Sequence, residues 1–423
     1  MKARVCILTP GPLGSNPRVV KEADALAEAG YKVTTISTRT LAQVDSFDEA
    51  ILARASWTAQ RLDFRARGNA WRLRRAIQVA QGIAFSLAEQ VLFANHAISP
   101  FSNSLIAAAK KVVADLYVAH YPAALPAAAA AARLHKARYC YDAEDFHLGD
   151  WPEGAKYEAN RRLVRAVEEH HLPGCAYVTA ASPGIADAYA DTYRIGSPSV
   201  VLNVFPREQA PPMPTSAGTA RPGPSVYWFS QTIGPDRGLE VAVEAIGRAQ
   251  TRPHLYLRGS PAKGFVDKLQ SLAAYVNAAE RLHFLPPEPP TAMVRLAAAY
   301  DVGLSAETGS TGSRKIALTN KIFTYLLAGI PAITSDVPAY RDFALEAGDA
   351  TRLYSTENVD SLATAIDEVI GNPQMLAQAR AAAFRLGQSR FNWDLEAVNL
   401  LRCIDAATIY SNATVFHPAI SVN

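Results

Sequence analysis

The stretch VCILTPGPLGSNPRVVKEADALAEAGYKVTTIS, from Val5 to Ser37, decides the fold class. Val5 to Thr9 is a short apolar run typical of a buried strand, and a loop with two glycines follows it. Asn16 and Pro17 predict the N-cap and first turn of a helix, whose apolar residues recur at helical spacing. Gly30 predicts the end of that helix, and a second apolar strand follows. This strand–helix–strand unit predicts a parallel sheet with helices on both faces.

The same alternation of strands and helices runs through residues 1–205, stops, and resumes through residues 225–388. Residues 206–224 are rich in Pro, Ala, Ser and Thr and have no apolar period, which is linker composition. We therefore expect an α/β protein with two doubly wound, Rossmann-like domains that face each other across a cleft. Residues 389–423 begin with a further helical pattern and end in a tail.

Composition excludes several classes of function for this 423-residue chain. A net charge of +3 gives no argument for nucleic-acid binding, which usually needs a strongly basic domain. The four cysteines show neither CxxC nor zinc spacing, so we expect reduced thiols and a cytoplasmic protein. The first apolar run stops at Pro10, unlike a signal peptide, and no apolar run is long enough to predict a spanning helix.

Several blocks of the chain resemble one enzyme family. Asn320 to Pro331, NKIFTYLLAGIP, resembles the NKxFxYxxAGxPV signature of the retaining, family-four-like GT-B glycosyltransferases. Ser230 to Glu240, SQTIGPDRGLE, is similar to their phosphate loop, which ends in RGLE or KGLE. Asp115 to Leu125 is similar to their DxYxAHDxxAL stretch, Tyr141 to Glu144 to their YDAHE, and Asn203 stands at their PNG. The first block is specific, whereas the others are supportive only.

The resemblance implies the GT-B architecture and the transfer of a sugar from a nucleoside-diphosphate-sugar donor to a hydroxyl acceptor, with retention. It also implies no cofactor and no obligatory metal, and a final helix in 389–423 that crosses back onto the first domain. Three features depart from the family pattern. The Glu-x7-Glu pair falls at Ile316 and Thr324, which leaves the donor ribose contact open, and Glu307 is not an established substitute. The first glycine of the phosphate loop is replaced by Ser230-Gln231, and Glu144 replaces a histidine.

Cleaving the anomeric C–O bond leaves negative charge on the diphosphate, which fixed cations and N–H dipoles stabilise. Arg237 has a fork of donors that matches phosphate oxygens, and Lys321 lies in a first helical turn, where anions are favoured. The resemblance adds His120, at the end of a predicted strand, so the candidate catalytic residues are His120, Arg237 and Lys321. The predicted donor-binding residues are Ser230, Gln231, Gly234, Arg237, Glu307, Gly309, Thr319, Asn320, Lys321 and Thr324.

The first domain should supply the acceptor side of the cleft. Its glycine loop lets the backbone approach a ligand closely. Three carboxylates, Asp142, Glu144 and Asp145, crowd the end of one predicted strand, which is costly unless they are solvated or bind hydroxyls or cations. Arg18 opens the first helix and is expected to face the cleft. The predicted acceptor-side residues are Gly11, Gly14, Arg18, Asp142 and Glu144.

Residues 61–92 combine positive charge with aromatic and apolar residues. Phe64 and Trp71 stand ahead of an apolar helix predicted from Ile77 to Leu92. The pattern favours a core-packed helix with a solvated basic end. The alternative is an interfacial membrane anchor, which would imply a lipid-linked or glycan acceptor at the inner face of a membrane. The basic residues are Arg61, Arg65, Arg67, Arg72, Arg74 and Arg75.

Two other functions stay open. A sugar-nucleotide 2-epimerase could use the same architecture, but it needs carboxylates and histidines that converge on the sugar. The C-terminal half has only His254 and His283, and neither is predicted at a strand end. A non-catalytic nucleotide-sugar-binding partner subunit would account for the lost Glu-x7-Glu pair. Conversion of the donor without an acceptor would favour the epimerase, and binding without turnover would favour the partner subunit.

Overall fold

The computed structural model describes residues 2–66, 68–212 and 221–409. In the N-terminal half, seven strands form one parallel sheet in the order β3-β2-β1-β4-β5-β6-β7. The strands are β1 (Arg4–Leu8), β2 (Lys32–Arg39), β3 (Thr58–Asp63), β4 (Leu116–His120), β5 (Arg138–Ala143), β6 (Val178–Ala180) and β7 (Ser199–Val200). All their carboxyl ends therefore meet at one edge of the sheet.

Helices cover both faces of this sheet. The first helix begins as predicted, since the Asn16 side chain accepts a hydrogen bond from the Val19 backbone N–H and Pro17 occupies the first turn. The helices are α1 (Pro17–Glu28), α2 (Asp45–Arg54), α3 (Asn69–Ala88), α4 (Val91–Ala97), α5 (Ser102–Ala109), α6 (Leu125–His135), α7 (Glu158–His171) and α8 (Pro183–Tyr193).

A second parallel sheet of six strands forms the C-terminal half, in the order β10-β9-β8-β11-β12-β13. Its strand register is interrupted once, between Phe229 and Thr232. The strands are β8 (Ser225–Ile233), β9 (His254–Pro261), β10 (Leu282–Leu285), β11 (Val302–Ser305), β12 (Ala332–Ser335) and β13 (Thr351–Tyr354).

The helices of this half are α9 (Leu239–Arg248), α10 (Phe265–Tyr275), α11 (Met293–Ala297), α12 (Gly312–Ile316), α13 (Asn320–Leu327), α14 (Pro338–Ala347), α15 (Val359–Ile370), α16 (Pro373–Ser389) and α17 (Trp393–Ile409). The division at residues 205 and 225 stays a prediction, and residues 213–220 and 410–423 lie outside the described residues.

Helix α17 packs against the N-terminal half. Its Leu400 and Ile404 are buried in a cluster with Val5 and Val20, and this cluster also contains Phe323 of α13. Polar contacts accompany this packing: the Leu202 backbone N–H donates to the Glu396 carboxylate at 3.0 Å, and Trp393 N–H donates to the Phe205 carbonyl. One hydrophobic core thus runs through both halves.

The prediction for residues 61–92 was partly wrong. The apolar helix expected from Ile77 to Leu92 is divided, because Glu89 has a left-handed conformation with φ of 52° and ends α3. Phe85 is the only fully buried residue of α3, so this helix is not core-packed. No helix in the described part of the chain is both long and apolar enough to cross a bilayer.

Two leucines of α17 test how this helix docks. Leu400 is 3% exposed, whereas Leu395 on the same helix is 41% exposed. We expect Leu400→Ala to lower the free energy of unfolding by about 2–5 kcal/mol, since it leaves a cavity in a packed core. The matched control Leu395→Ala should cost under about 1 kcal/mol. Urea unfolding followed by circular dichroism measures both, and equal losses would show that α17 is not docked in this way.

Candidate active site

A cavity of about 390 Å³ lies between the two halves, at the carboxyl ends of their strands. Both halves contribute to its wall, as expected for a site between doubly wound domains. Four of the predicted donor-binding residues line it together, and two carboxylates of the N-terminal half lie opposite them. The lining residues are Asp145, Asp150, Arg237, Glu307, Thr311, Ser313, Arg314, Ala317, Thr319 and Lys321.

Arg237 reaches this cavity from the loop that joins β8 to α9. The next residue, Gly238, has φ of +66°, and a Cβ there would lie 2.6 Å from the Ala306 carbonyl oxygen, so the turn requires glycine. Burial lowers the pKa of Arg237, and the charge of Arg314 lowers it further. The guanidinium is therefore held half-buried beside a second guanidinium, an arrangement that an anion would relieve.

Lys321 is buried in the first turn of α13, and its ammonium lies 3.1 Å from a carboxylate oxygen of Glu307. The other oxygen of Glu307 lies 3.8 Å from the Arg314 guanidinium. Burial by itself would raise the pKa of Glu307, but the charges of Lys321 and Arg314 outweigh it and lower that pKa. Glu307 thus serves as a counter-ion that positions two cations.

The remaining residues of the predicted donor block differ in their access to the cavity. The Thr319 hydroxyl bonds to the Tyr340 hydroxyl at 2.8 Å and does not cap α13, whose first turn faces the cavity. Asn320 is half-buried and does not line the cavity. The structure contradicts donor contact by Thr324, because this residue is fully buried and its hydroxyl donates to the Asn320 carbonyl.

Other predicted donor residues lie around the cavity, not in its wall. Ser230 is half-buried, and Gln231 donates from its amide to the Ser15 carbonyl of the opposite half at 2.9 Å. Gly234 is buried against the end of β9, where its Cβ would lie 3.5 Å from that of Ala262. Gly309 has φ of +64° and packs near Val337. Of these residues, Gln231 bridges the two halves, Ser230 lies within β8, and the two glycines lie in loops.

The opposite wall belongs to the segment after β5. Asp145 is half-buried, and burial raises its pKa to about 7. His147 is buried, its Nδ1 lies 2.9 Å from an Asp150 oxygen, and its pKa is raised to about 9 because the Asp150 bond and charge outweigh burial. The wall therefore presents a carboxyl group that titrates near neutral pH beside a protonated imidazole.

The structure contradicts three of the expectations for the N-terminal half. Arg18 does not face the cleft: it is 2% exposed and forms two hydrogen bonds with Asp142, at 2.6 and 2.7 Å. His120 is 0% exposed and lies between Glu22, at 2.6 Å, and Asp142, at 3.1 Å. Asp142 also accepts the Thr179 hydroxyl. Arg18, His120 and Asp142 therefore form a buried ionic network, and none of the three is presented to a ligand.

Charges within this network support one another. Burial alone would lower the pKa of His120, but the charges of Asp142 and Glu22 outweigh it and raise the pKa to about 10. Burial would likewise raise the pKa of Asp142, yet Arg18 and His120 hold it well below its usual range. His120 is therefore an imidazolium at neutral pH. The sequence suggested a catalytic residue instead of a structural one, because it does not show that Glu22 and Asp142 lie beside this histidine.

Glu144 and the glycine loop lie at the same sheet edge. Glu144 is half-buried and accepts hydrogen bonds from the Asn203 amide and the Tyr121 hydroxyl, each at 3.0 Å. Gly11 is half-exposed, whereas Gly14 is buried and its N–H donates to Asp48 at 2.6 Å. The expectation that Gly14 faces a ligand is contradicted, since it packs against α2.

Comparisons with known proteins bear on the fold of this chain. No family model matches the chain. Two curated relatives, the D-inositol 3-phosphate glycosyltransferases of Rhodococcus opacus and Rhodococcus jostii, are each 28% identical over 182 residues, or 42% of this chain. The chain spans only about two fifths of the length of these relatives, 39% and 38% respectively.

Solved structures match almost the whole chain. HepE of Anabaena, in complex with UDP and glucose, has a TM-score of 0.71 at 15% identity and covers 96% of this chain and 100% of its own. Sucrose-phosphate synthase of Thermosynechococcus elongatus has a TM-score of 0.70 at 14% identity, with the same coverage. The chain has the GT-B fold. TarM of S. aureus, at 8% identity, has a TM-score of 0.67 and covers 96% of this chain and 100% of its own.

The fold class and the GT-B resemblance predicted from sequence are thus confirmed. The interdomain cavity also contains Arg314, which the sequence did not indicate. Arg314 follows the glycine loop Glu307 to Ser313, and its guanidinium also donates to the Asp236 carbonyl. Its position directly after a predicted donor loop was the signal that could have found it. Within residues 2–66, 68–212 and 221–409, no cluster of three or more His, Cys, Asp or Glu side chains could hold a metal ion.

The burial of His120 in the N-terminal half predicts how the stability of the protein depends on pH. We expect His120→Gln to lower the free energy of unfolding by about 3–5 kcal/mol near pH 6, because Glu22 loses the cation that lies 2.6 Å from it and Asp142 keeps only Arg18. The folded-state pKa of about 10 lies above the ordinary 6.5, so this stabilisation is full below pH 6.5 and is lost as pH rises towards 10.

Urea unfolding of both proteins at pH 6 and near pH 10 measures this difference. The difference in free energy of unfolding between the wild type and His120→Gln should be smaller at the higher pH. The exposed His170 provides the control His170→Gln, which should leave stability nearly unchanged at both values. A difference that stays constant or widens with pH would show that His120 is neutral in the folded protein.

Proposed function

We propose that this chain is a glycosyltransferase that moves a sugar from a nucleoside-diphosphate-sugar donor to a hydroxyl acceptor, with retention of the anomeric configuration. The observation that carries the proposal is the meeting of Arg237, Arg314 and Lys321 in one interdomain cavity, where Glu307 is their near carboxylate. A diphosphate brings the negative charge that this set of cations lacks.

The cations would act on the leaving group. As the bond between the anomeric carbon and the phosphate oxygen breaks, charge develops on the diphosphate, and preorganised cations lower the barrier without reorganising. The first turn of α13 adds backbone N–H groups beside Lys321. A new bond then joins the anomeric carbon to the acceptor oxygen, and the hydroxyl proton passes to the departing diphosphate oxygen. We propose no obligatory metal, because these groups supply the positive charge, and no other cofactor.

In this proposal the C-terminal half binds the donor and the N-terminal half binds the acceptor. Asp145 and Asp150 stand opposite the cations and could accept hydrogen bonds from sugar or acceptor hydroxyls. UDP is the first nucleotide to test, because HepE structures hold UDP or UDP-glucose. We propose a glycan or lipid-linked acceptor, with the enzyme in the cytoplasm or at the inner face of a membrane.

One observation weakens the epimerase alternative. His254 begins β9 and His283 lies near the beginning of β10, whereas the cavity is at the carboxyl ends of the strands. The two imidazoles are 2.9 Å apart and their rings stack on each other. Both histidines are therefore remote from the proposed sugar site, and neither can act there as an acid or base.

Nucleotide binding tests the donor site. We expect UDP or another nucleoside diphosphate, without metal, to raise the midpoint of thermal unfolding by several degrees. A ligand at a hundred times its dissociation constant adds about 2.7 kcal/mol. Arg237→Ala should abolish the shift, since it removes the guanidinium with which the phosphate loop reaches the cavity.

Arg385→Ala is the matched control, because Arg385 is exposed on α16 and does not line the cavity. It should keep the full nucleotide-induced shift. If none of UDP, GDP, TDP, ADP and CMP moves the midpoint of the wild type, with or without magnesium, the donor site loses its support. The same result follows if Arg237→Ala responds as strongly as the control.

The stereochemistry of the product tests retention. With an α-linked donor and an accepted hydroxyl compound, we expect an α-linked product, read from the anomeric coupling constant in proton NMR. A β-linked product would overturn retention and would point to Asp145, opposite the cations, as a base. Conversion of the donor to its 2-epimer without any acceptor would identify an epimerase instead. Tight donor binding without turnover across many acceptors would favour the partner subunit.

A further inference from the structure

Helix α3 exposes an apolar stripe that no other part of the described chain covers. Residues 76, 79, 80, 83 and 87 recur at helical spacing, and all five are exposed. A protein usually buries the apolar face of an amphipathic helix, so an uncovered one indicates an interaction surface. The large apolar residues exposed here are Leu73 (62%), Val79 (54%), Ile83 (56%) and Leu87 (82%), with Leu92 (58%) at the start of α4.

The segment that carries this stripe is rich in basic residues, of which Arg65 is paired with Asp63 and Asp45. Between residues 64 and 114, Glu89 is the only acidic residue, and it pairs with Arg162 of α7. Arg72 lies at the N-terminal end of the stripe and Arg75 at its border, and both are exposed. The basic residues of this segment are Arg65, Arg67, Arg72, Arg74, Arg75, Lys110 and Lys111, of which Arg67 lies outside the described residues.

We propose that α3 docks this protein onto the surface of a bilayer that contains anionic lipid. Val79, Ile83 and Leu87 would enter the boundary between headgroups and acyl chains, and Arg72 and Arg75 would bind lipid phosphates. Apolar residues on one face combined with arginine at its border are the pattern of helices that lie in the membrane interface. Long arginine side chains can reach the phosphates while their stems lie along the apolar surface.

Charge complementarity selects this occupant. A second copy of the chain would bring one basic surface against another, which is unfavourable, whereas anionic headgroups attract it. The apolar stripe alone would also suit a hydrophobic protein partner, but that partner would need an acidic rim. An anionic bilayer meets both requirements, because it has an apolar interior beneath a negatively charged surface.

The proposed docking surface, residues 69–92, belongs to the N-terminal half, which the proposed function assigns to the acceptor. Helix α3 follows the carboxyl end of β3, which is the same sheet edge that carries the glycine loop. Asp48 joins the glycine loop to β3, since it accepts the Gly14 N–H at 2.6 Å and lies 3.5 Å from the Arg61 guanidinium. A docked chain would hold this edge close to the lipid. That a lipid-linked hydroxyl is the acceptor rests on the proposed transferase activity, whereas docking itself does not.

Vesicle binding tests the proposal. We expect the full chain to sediment with vesicles of phosphatidylcholine and phosphatidylglycerol, and much less with phosphatidylcholine alone. The triple variant V79S/I83S/L87S should bind at least about tenfold more weakly, because apolar burial is lost. Each arginine contributes about fivefold near an anionic surface, so R72E/R75E should weaken binding by at least about 25-fold. High salt should weaken the wild type in the same way.

Matched controls are available elsewhere on the surface. Leu345→Ser on α14 (86% exposed) and Arg385→Glu on α16 change exposed residues of the same types, and both should bind vesicles like the wild type. The nucleotide-induced thermal shift should be unchanged in all variants. This second measurement separates a failure of the docking surface from a failure of the donor site.

Three results would overturn the proposal. The first is no preference of the wild type for anionic vesicles. The second is equal vesicle binding by the stripe variants and the control variants. The third is a wild-type dimer in light scattering that V79S/I83S/L87S converts to a monomer, because the stripe would then be an interface between copies of this chain.

Discussion

The structure depends on how its buried charges are compensated, and the two halves of the cleft do this differently. Around the cavity, Lys321 is buried against Glu307, which also faces Arg314, while Arg237 stands beside them. Repulsion between neighbouring cations contributes to the lowered pKa values of Arg237 and Lys321, after burial itself. The fold thus gathers three cations around one near carboxylate, Glu307, with Asp145 and Asp150 on the opposite wall of a half-enclosed site. Such an arrangement costs stability and is typical of a site that binds an anion.

The N-terminal half shows the opposite solution. Arg18, Asp142, His120 and Glu22 also lie at the carboxyl edge of a parallel sheet, but each charge has an opposite charge beside it. The register places His120 directly opposite Asp142 on the neighbouring strand, so the network follows from the sheet itself. A fully paired and buried network holds strands β4 and β5 and helix α1 in place. It can orient the segment that carries Asp145 without touching a ligand, which is a positioning role.

Sequence predicted elements with strong apolar periods well, among them α1, which begins at the expected N-cap, and α13, which begins at Asn320. It missed β3, whose residues TAQRLD lie at a sheet edge and lack an apolar period, and it missed α14 and β13. The location of the candidate site residues was likewise predicted correctly where a local sequence pattern exists and wrongly where it does not. Residues in the specific block and the phosphate loop do meet, but the burial of His120 and Arg18 depends on partners about a hundred or more residues away. A single sequence does not reveal such pairings.

Assembly of the cavity finally depends on contact between the halves, because its central loop is held from both sides. The Ser182 hydroxyl donates to the Ile316 carbonyl at 2.7 Å, and Gly149 packs so closely that a Cβ there would lie 2.8 Å from the Ser313 nitrogen. These contacts fix helix α12, which carries Arg314. If the halves separated, α12 would lose these contacts, while Arg314 would keep its bond to the Asp236 carbonyl and Lys321 its partner Glu307 within the C-terminal half. Closure of the cleft therefore supports the helix that carries Arg314, and in the proposed function it would steady one of the three cations that stabilise a leaving diphosphate.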